Sequence, residues 1–468
     1  MTDPVAPPCP DAVEANDVPC VTLQESFRVW TRVAMLSFGG PAAQIAVMHR
    51  IIVDEKKWLD ERRFLHALNF CMLLPGPEAQ QLATYTGWLM HGIRGGLMAG
   101  GLFILPGFVS ILVLSLLYVS FEGSAAFQTL FFGLKCAVLA VVAEAVLRIS
   151  KRVLKSRALV SVSVIAFLLL YLKVVSFPVL ILLAGFAGVI GHRVAPQWFT
   201  IPRKPLKPME TPEAESVKEV AYSVATPVTG SLWKRSLVVS AICLSLWFVP
   251  VLTVRAFTGP DSVYTQSALF FSKAAMVTFG GAYSALSYVD QQAVDQYHWI
   301  EKGEMLDGLG LAETTPGPLI MVVQFVGFLA AARHDPHLHP LLAGTLGAVL
   351  TTWVTFVPCF YWIFLGAPFM ESLLGKPMLN AAFTTITAAV VGVIANLGVS
   401  MATATLFGQT AEYSLDWISL SYPVPATIRP DAVIIAALAG VLLLVLHRGL
   451  AVTLATCVVA GAILRSLT

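Results

Sequence analysis

Apolar residues in this chain come in long, nearly unbroken runs, not in alternation and not as one stripe on a helix. The runs at 96–121, 127–149, 236–252 and 431–446 approach the ~20 apolar residues with which a helix crosses a bilayer. They are rich in Leu, Val, Ala and Phe, and no period-two pattern marks a membrane β-barrel. Segments at 24–46, 64–91, 96–121, 127–148, 158–173, 174–192, 236–252, 266–289, 305–332, 340–366, 379–399, 431–446 and 449–466 predict about thirteen transmembrane segments. The expected fold is all-α: a polytopic membrane protein whose helices are interrupted by glycine and proline. Composition agrees, since 57% of the 468 residues are hydrophobic and only 12% charged, against ~25% charged in soluble domains.

Charge and cysteine usage narrow the function classes. The formal net charge is +2 and no basic tract is present, so nucleic acid is not an expected partner. The seven cysteines form no CxxC pair and no cluster with histidine, which argues against a metal site or a disulfide framework. No haem, flavin, iron–sulfur or ATP-binding pattern is visible, so neither a cofactor nor an enzyme activity is expected. The segment 1–22 is acidic and proline-rich and does not resemble a cleaved signal.

The chain repeats itself. Residues 32–77 lie on 273–318 without a gap, matching Phe38-Gly39-Gly40 with Phe279-Gly280-Gly281, Asp54 with Asp295, Trp58 with Trp299, and Pro75-Gly76-Pro77 with Pro316-Gly317-Pro318. After an insertion the match resumes, with Pro106 on Pro358 and Glu144 on Asn396. Shared apolar composition does not place Trp, Asp and a Pro-Gly-Pro triplet at one offset; an internal duplication does. The expected organisation is an acidic tail (1–23), a first half (24–192), a charged, proline-rich cytoplasmic linker (193–235), an extra transmembrane helix (236–252) and a second half (253–468).

Arg148, Lys151, Arg152, Lys155 and Arg157 mark one short loop as cytoplasmic. The matching stretch, 400–430, contains a single basic residue, Arg429, and is placed outside. Corresponding loops on opposite sides make the halves an inverted repeat, a common transporter design. Should 64–91 and 305–332 instead fold back as re-entrant hairpins, the expectation is parallel halves.

Each half contains two helix breaks, at Gly39-Gly40 and Pro75-Gly76-Pro77 in the first and at Gly280-Gly281 and Pro316-Gly317-Pro318 in the second. Single breaks in membrane helices usually make kinks or close helix contacts. Repeated in both halves, they point to half-helix starts at Pro77 and Pro318, whose unpaired N–H groups and positive dipole end suit an anion. Arg32 and Lys273 each precede a Gly-Gly break by seven residues, and this symmetry nominates them to neutralise an anionic substrate. Replacing either by Gln is then expected to remove function. Glu78, Glu144, Glu313 and Lys135 are ionisable groups in or beside apolar runs and are candidates for proton coupling or gating. Asp54/Trp58 and Asp295/Trp299 read first as interfacial anchors.

These motifs resemble the long, two-domain form of the chromate ion transporter family. The resemblance rests on Ser37-Phe38-Gly39-Gly40-Pro41, on Leu73-Leu74-Pro75-Gly76-Pro77-Glu78-Ala79-Gln80-Gln81, on Thr278-Phe279-Gly280-Gly281 and on Ala312-Glu313-Thr314-Thr315-Pro316-Gly317-Pro318. It implies efflux of chromate from the cytoplasm across a bacterial inner membrane, with chromate resistance as the result. The residues alone imply an inverted-repeat transporter for an anion, with a sulfate or broader oxyanion transporter as the alternative. A membrane-embedded reductase is a second alternative, disfavoured by the missing cofactor pattern. The expected partners are a small oxyanion and the lipid bilayer; the oligomeric state is not specified by the sequence.

Overall fold

The computed structural model describes residues 21–199, 232–370, 376–415 and 418–467. The acidic tail up to residue 20 and the linker between 200 and 231 lie outside the described residues. The first half contains α1 (Leu23–Leu36), α2 (Gly40–His49), α3 (Glu61–Cys71), α4 (Glu78–Phe121), α5 (Ala125–Val153), α6 (Arg157–Tyr171) and α7 (Phe177–Val194), closed by one turn, α8 (Pro196–Phe199). A connecting helix, α9 (Leu232–Thr258), leads to α10 (Val263–Val277), α11 (Ala282–Gln291), α12 (Glu304–Thr314), α13 (Val322–His334), α14 (Pro340–Gly366) and α15 (Pro377–Leu406). An antiparallel pair, β1 (Thr410–Leu415) and β2 (Ile418–Pro423), precedes α16 (Pro430–Gly440) and α17 (Leu450–Leu467).

Local sequence explains the boundaries. Thr22, Asp60, Ser156 and Ser262 each accept a backbone N–H with their side chains and so begin α1, α3, α6 and α10. Proline near the first position starts α2, α7, α14, α15 and α16, where its missing N–H costs no helical bond. Non-helical backbone at His91 and Gly92 divides α4 into a short arm and a long arm. The duplication persists in detail. A π-helical turn follows α2 at Arg50–Glu55 and another follows α11 at Gln292–Gln296. The Trp58 N–H then bonds Ile52 O, and the Trp299 N–H bonds Ala293 O, each at 2.8 Å. Both tryptophans are buried in the protein core, where Trp299 stacks on Tyr297; an interfacial anchor would have left them facing lipid headgroups.

Four of the thirteen expected segments fold back on themselves at their breaks. Glu304 at the start of α12 and Arg333 near the end of α13 form a two-pronged ion pair at 2.7 Å. Phe270 of α10 lies 5.7 Å from Trp299, measured between ring centroids. Lys56 reaches back to Glu25 of α1 at 2.9 Å, and Phe70 of α3 meets Tyr85 of α4. A straight crossing would hold these partners a membrane thickness apart. Each pair is therefore a re-entrant hairpin with its tip at Gly39-Gly40, Gly76, Gly280-Gly281 or Gly317. The remaining nine segments are the long arm of α4, α5, α6, α7, α9, α14, α15, α16 with its following turn, and α17.

Hairpins and inversion coexist because each half folds back twice, which leaves the direction of later helices unchanged. The long arm of α4 and its counterpart α14 run antiparallel: Gly96 packs on Phe364 and Gly100 on Phe360. Hairpins of the first half open on one face, with Glu25, Lys56 and the basic end of α5. Those of the second half open on the other, where Arg333 pairs with Glu122 at 2.7 Å and Lys173 with Asp295 at 3.0 Å. The β-hairpin lies on this second face, where Lys302 reaches Thr410. The halves also interlock: α15 packs along α6 and α7, while its counterpart α5 packs along α16 and α17. By the positive-inside rule the expected cytoplasmic face is the one with Arg148–Arg157. Cysteines placed at Lys57 and Arg94 should both react with an impermeant reagent from the cytoplasmic side; reaction from opposite sides would require the 64–91 segment to cross.

Candidate functional site

The four hairpin tips meet in reciprocal pairs. The Gly317 N–H donates to Ser37 O at 2.9 Å, and the Gly76 N–H donates to Thr278 O at 2.8 Å. Thus each Pro-Gly-Pro tip is held by the residue preceding the Phe-Gly-Gly break of the other half. Those two residues are themselves matched: Ser37 Oγ donates to Val33 O and Thr278 Oγ1 to Ala274 O, both at 2.6 Å. The long crossing helices close the junction from the sides. Gly107 of α4 packs on Gly317, and its counterpart Cys359 of α14 packs on Gly76. Irregular backbone at membrane depth persists only when buried in protein or lining a polar cavity. Here it does the former, and the breaks satisfy one another.

Polar side chains concentrate at this junction. Gln44 on α2 donates to Gly317 O at 2.5 Å, and Gln81 on α4 donates to Pro75 O at 2.7 Å. The side-chain oxygens of Gln44, Gln80 and Gln81 are buried and have no hydrogen-bond partner among the described residues. Buried polar atoms without partners are uncommon and costly, by about 1–3 kcal/mol each. Glu313, buried, accepts from Tyr283 Oη at 2.6 Å and lies against Gly40; Glu78 lies against Gly281. The starts of α2, α4 and α11 carry no side-chain cap, so their first N–H groups face the junction uncapped. Pro77 and Pro318 sit one residue outside the helical turns they introduce.

The structure distributes the other sequence candidates more widely. Arg32 is half exposed and bound to Glu55 at 2.7 Å, and Lys273 lies exposed on the outer face of α10 with Leu269 and Met276. Among the described residues no hydrogen bond or ion pair joins either cation to a tip. Glu144 pairs with Arg148 at 3.3 Å on the same helix face. Lys135 pairs with the buried Asp307 at 3.0 Å, and Tyr118 Oη donates to Asp307 at 2.8 Å. This group ties α5 of the first half to the open end of the α12–α13 hairpin. Lys135→Met should lower the thermal unfolding midpoint in detergent, by the equivalent of about 3–5 kcal/mol, because it strands a buried carboxylate. Adding Asp307→Asn should recover part of the loss.

The sequence reading used Arg148 and Arg152 only to orient the chain. In the structure Arg152 approaches the hairpin that ends at Gly76. Arg152 Nη2 lies 3.4 Å from Met72 Sδ, two residues before the Leu74-Pro75 step. Arg148 is held by Glu144 one helical turn before it. Both arginines lie on one face of α5, about 20–25 Å along the helix from Lys135. Their repeat counterparts are Ser400 and Ala404, so the second half has no matching cations. A signal was available: two arginines spaced by four at the end of an apolar helix. On the opposite face, a polar cavity of about 850 Å³ is lined by Glu122, Lys173, Asp295, Lys302 and Arg333 among others. No group of three metal-ligating side chains occurs among the described residues.

Six helices long and apolar enough to cross a membrane among the described residues, with four hairpins whose tips bond one another, define a polytopic membrane protein. The chain belongs to the chromate transporter family, whose pattern it matches over residues 24–189 and 265–464. It is 30% identical to the chromate transport protein of Pseudomonas aeruginosa, over 84% of this chain and 85% of that one. It is 27% identical to the chromate transport protein of Cupriavidus metallidurans, over 84% and 86% of the two chains. A probable chromate transport protein of Synechococcus elongatus is 25% identical over 91% of this chain and 96% of its own. No solved structure matches the fold.

Proposed function

We propose that this chain transports chromate, exporting it from the cytoplasm across the bacterial inner membrane and so conferring chromate resistance. The observation that carries the reading is the reciprocal tip junction, in which uncapped helix starts from both halves converge beside buried amides within a family of chromate transporters. A tetrahedral dianion needs many N–H donors from several directions, and helix starts supply them without a bound cofactor. The substrate-binding elements are Gly39, Gly40, Pro75, Gly76, Pro77 and the matching Gly280, Gly281, Pro316, Gly317, Pro318. Glu78 and Glu313 are gating groups at the same place.

Charge compensation in this scheme falls to Arg148 and Arg152 in place of Arg32 and Lys273. Their presence on the cytoplasmic side alone supports capture from the cytoplasm and release toward the opposite face. Arg148→Gln with Arg152→Gln should cut export at least tenfold, as expected when a desolvated dianion loses charged partners. Arg32→Gln should retain most of it; the opposite ranking would return the cations to the two outer faces. The proposed function is tested in cells expressing the chain. Labelled chromate content should fall and growth on chromate should improve, with sulfate tested as competitor; equal chromate content with and without the protein contradicts export.

A further inference from the structure

The carboxylates of Glu78 and Glu313 lie against the starts of two helices of the opposite halves. Helices α2 and α11 begin at Gly40 and Ala282 without a side-chain cap, and an uncapped start presents free N–H groups and a positive dipole end. Glu313, from the other half, comes within 3.8 Å of the place a β-carbon on Gly40 would occupy. Glu78 comes within 3.4 Å of the same place on Gly281. Beside these carboxylates, Gln44 and Gln81 are 1% and 0% exposed, and each keeps one side-chain oxygen unpartnered. Each amide already gives one N–H to a tip carbonyl, Gly317 O for Gln44 and Pro75 O for Gln81, and its amide nitrogen carries a second N–H.

The duplication does not account for the two acids. Glu78 follows its Pro-Gly-Pro triplet and Glu313 precedes the other; the matching positions are Leu319 and Met72. Two unrelated positions therefore deliver a carboxylate to two related helix starts. Inheritance from one ancestral half would have placed them at the same repeat position.

We propose, resting on the oxyanion-site reading above, that Glu78 and Glu313 are tethered anions that stand against the α11 and α2 starts in the empty transporter. A substrate oxyanion binds by displacing at least one of them. Like charges a few ångströms apart in a site of low dielectric repel by many times the thermal energy, so a dianion and both carboxylates do not share it. A displaced carboxylate stays tethered beside the site; on the Glu78 side Arg152 reaches the same hairpin, 3.4 Å from Met72 Sδ. Its return to the helix start then expels the substrate. In this scheme the acids set both affinity and release.

The test is equilibrium binding of labelled chromate to the purified full-length protein, for the wild type, Glu78→Gln, Glu313→Gln and the double variant. Each Gln variant is expected to bind at least tenfold more tightly and to turn over more slowly in vesicles, since release loses its competitor. Unchanged or weakened binding in monodisperse Gln variants overturns the proposal. Glu78→Asp and Glu313→Asp keep the charge and should bind no more tightly than wild type; tightening there points to size in place of charge and also overturns it. Infrared difference spectra of the wild type on adding chromate supply a readout that needs no variant. Shifted carboxylate bands are expected, and their absence overturns the idea. Failure of the underlying reading looks different: the wild type, with both acids intact, then binds no chromate at all.

Discussion

Collapsing the membrane potential, with the pH gradient held, should stop chromate export. The potential is worth ~2.3 kcal/mol per elementary charge per 100 mV, so a dianion leaving a negative interior gains about 4.6 kcal/mol. At ~1.4 kcal/mol per factor of ten, that supports an outward concentration ratio of roughly two-thousandfold. No nucleotide-binding loop is visible in the sequence, and this gain needs no second energy source. The measurement is labelled chromate efflux from loaded cells, or uptake into inside-out vesicles, with the potential clamped by an ionophore for potassium. Accumulation in vesicles above the outside concentration with the potential at zero would require a coupled ion, and Glu78, Glu144 and Glu313 would then be tested as its carriers.

Gly317→Ala should abolish transport and destabilise the protein, with a larger effect than Gly76→Ala. Gly317 adopts φ +106°, a conformation an L-residue avoids, and a β-carbon there would lie 2.8 Å from Gly107 Cα and 3.0 Å from Gly107 N. Both are backbone atoms of α4, so neither moves without shifting the helix. Backbone strain of about 1–2 kcal/mol adds to overpacking of about 1–3 kcal/mol. The N–H bond to Ser37 O, which ties the two halves together, is disturbed at the same time. Gly76 has φ +123°, but its β-carbon would meet Cys359 Sγ and Gln81 Nε2, both side-chain ends at 2.9 Å. Those ends rotate away at lower cost. Thermal unfolding in detergent alongside vesicle transport checks the ranking; a Gly317→Ala protein with wild-type transport would remove the tip junction from the mechanism.

Much of the architecture was legible because bilayer solvation forces long apolar runs and because the duplication preserved Phe-Gly-Gly and Pro-Gly-Pro. The return of 24–46 and 64–91 as hairpins was harder to read. Their arms are each of helical length, and the contacts that reveal the turn, Lys56 with Glu25 and Phe70 with Tyr85, join residues distant in sequence. The site was half legible. Glycines and prolines at the tips were identifiable from their backbone chemistry, and so were Glu78 and Glu313 as buried charges. Arg32 and Lys273 match in the repeat, yet the structure leaves both exposed, with Arg32 on Glu55. Arg148 and Arg152 have no counterpart in the second half, so a search for matched charges passed over them. Lys135 was visible as a buried cation, whereas its partner Asp307 lies far along the chain on α12.

The central claim is that the junction of the four tips carries chromate outward. Its most direct test is the initial rate of labelled chromate uptake into inside-out vesicles, for the wild type and for Gly317→Ala at matched amounts in the membrane. Saturable uptake by the wild type, lost in the Gly317→Ala vesicles, is the predicted result. Uptake at equal rates in both, or wild-type uptake no greater than in vesicles lacking the protein, would contradict it.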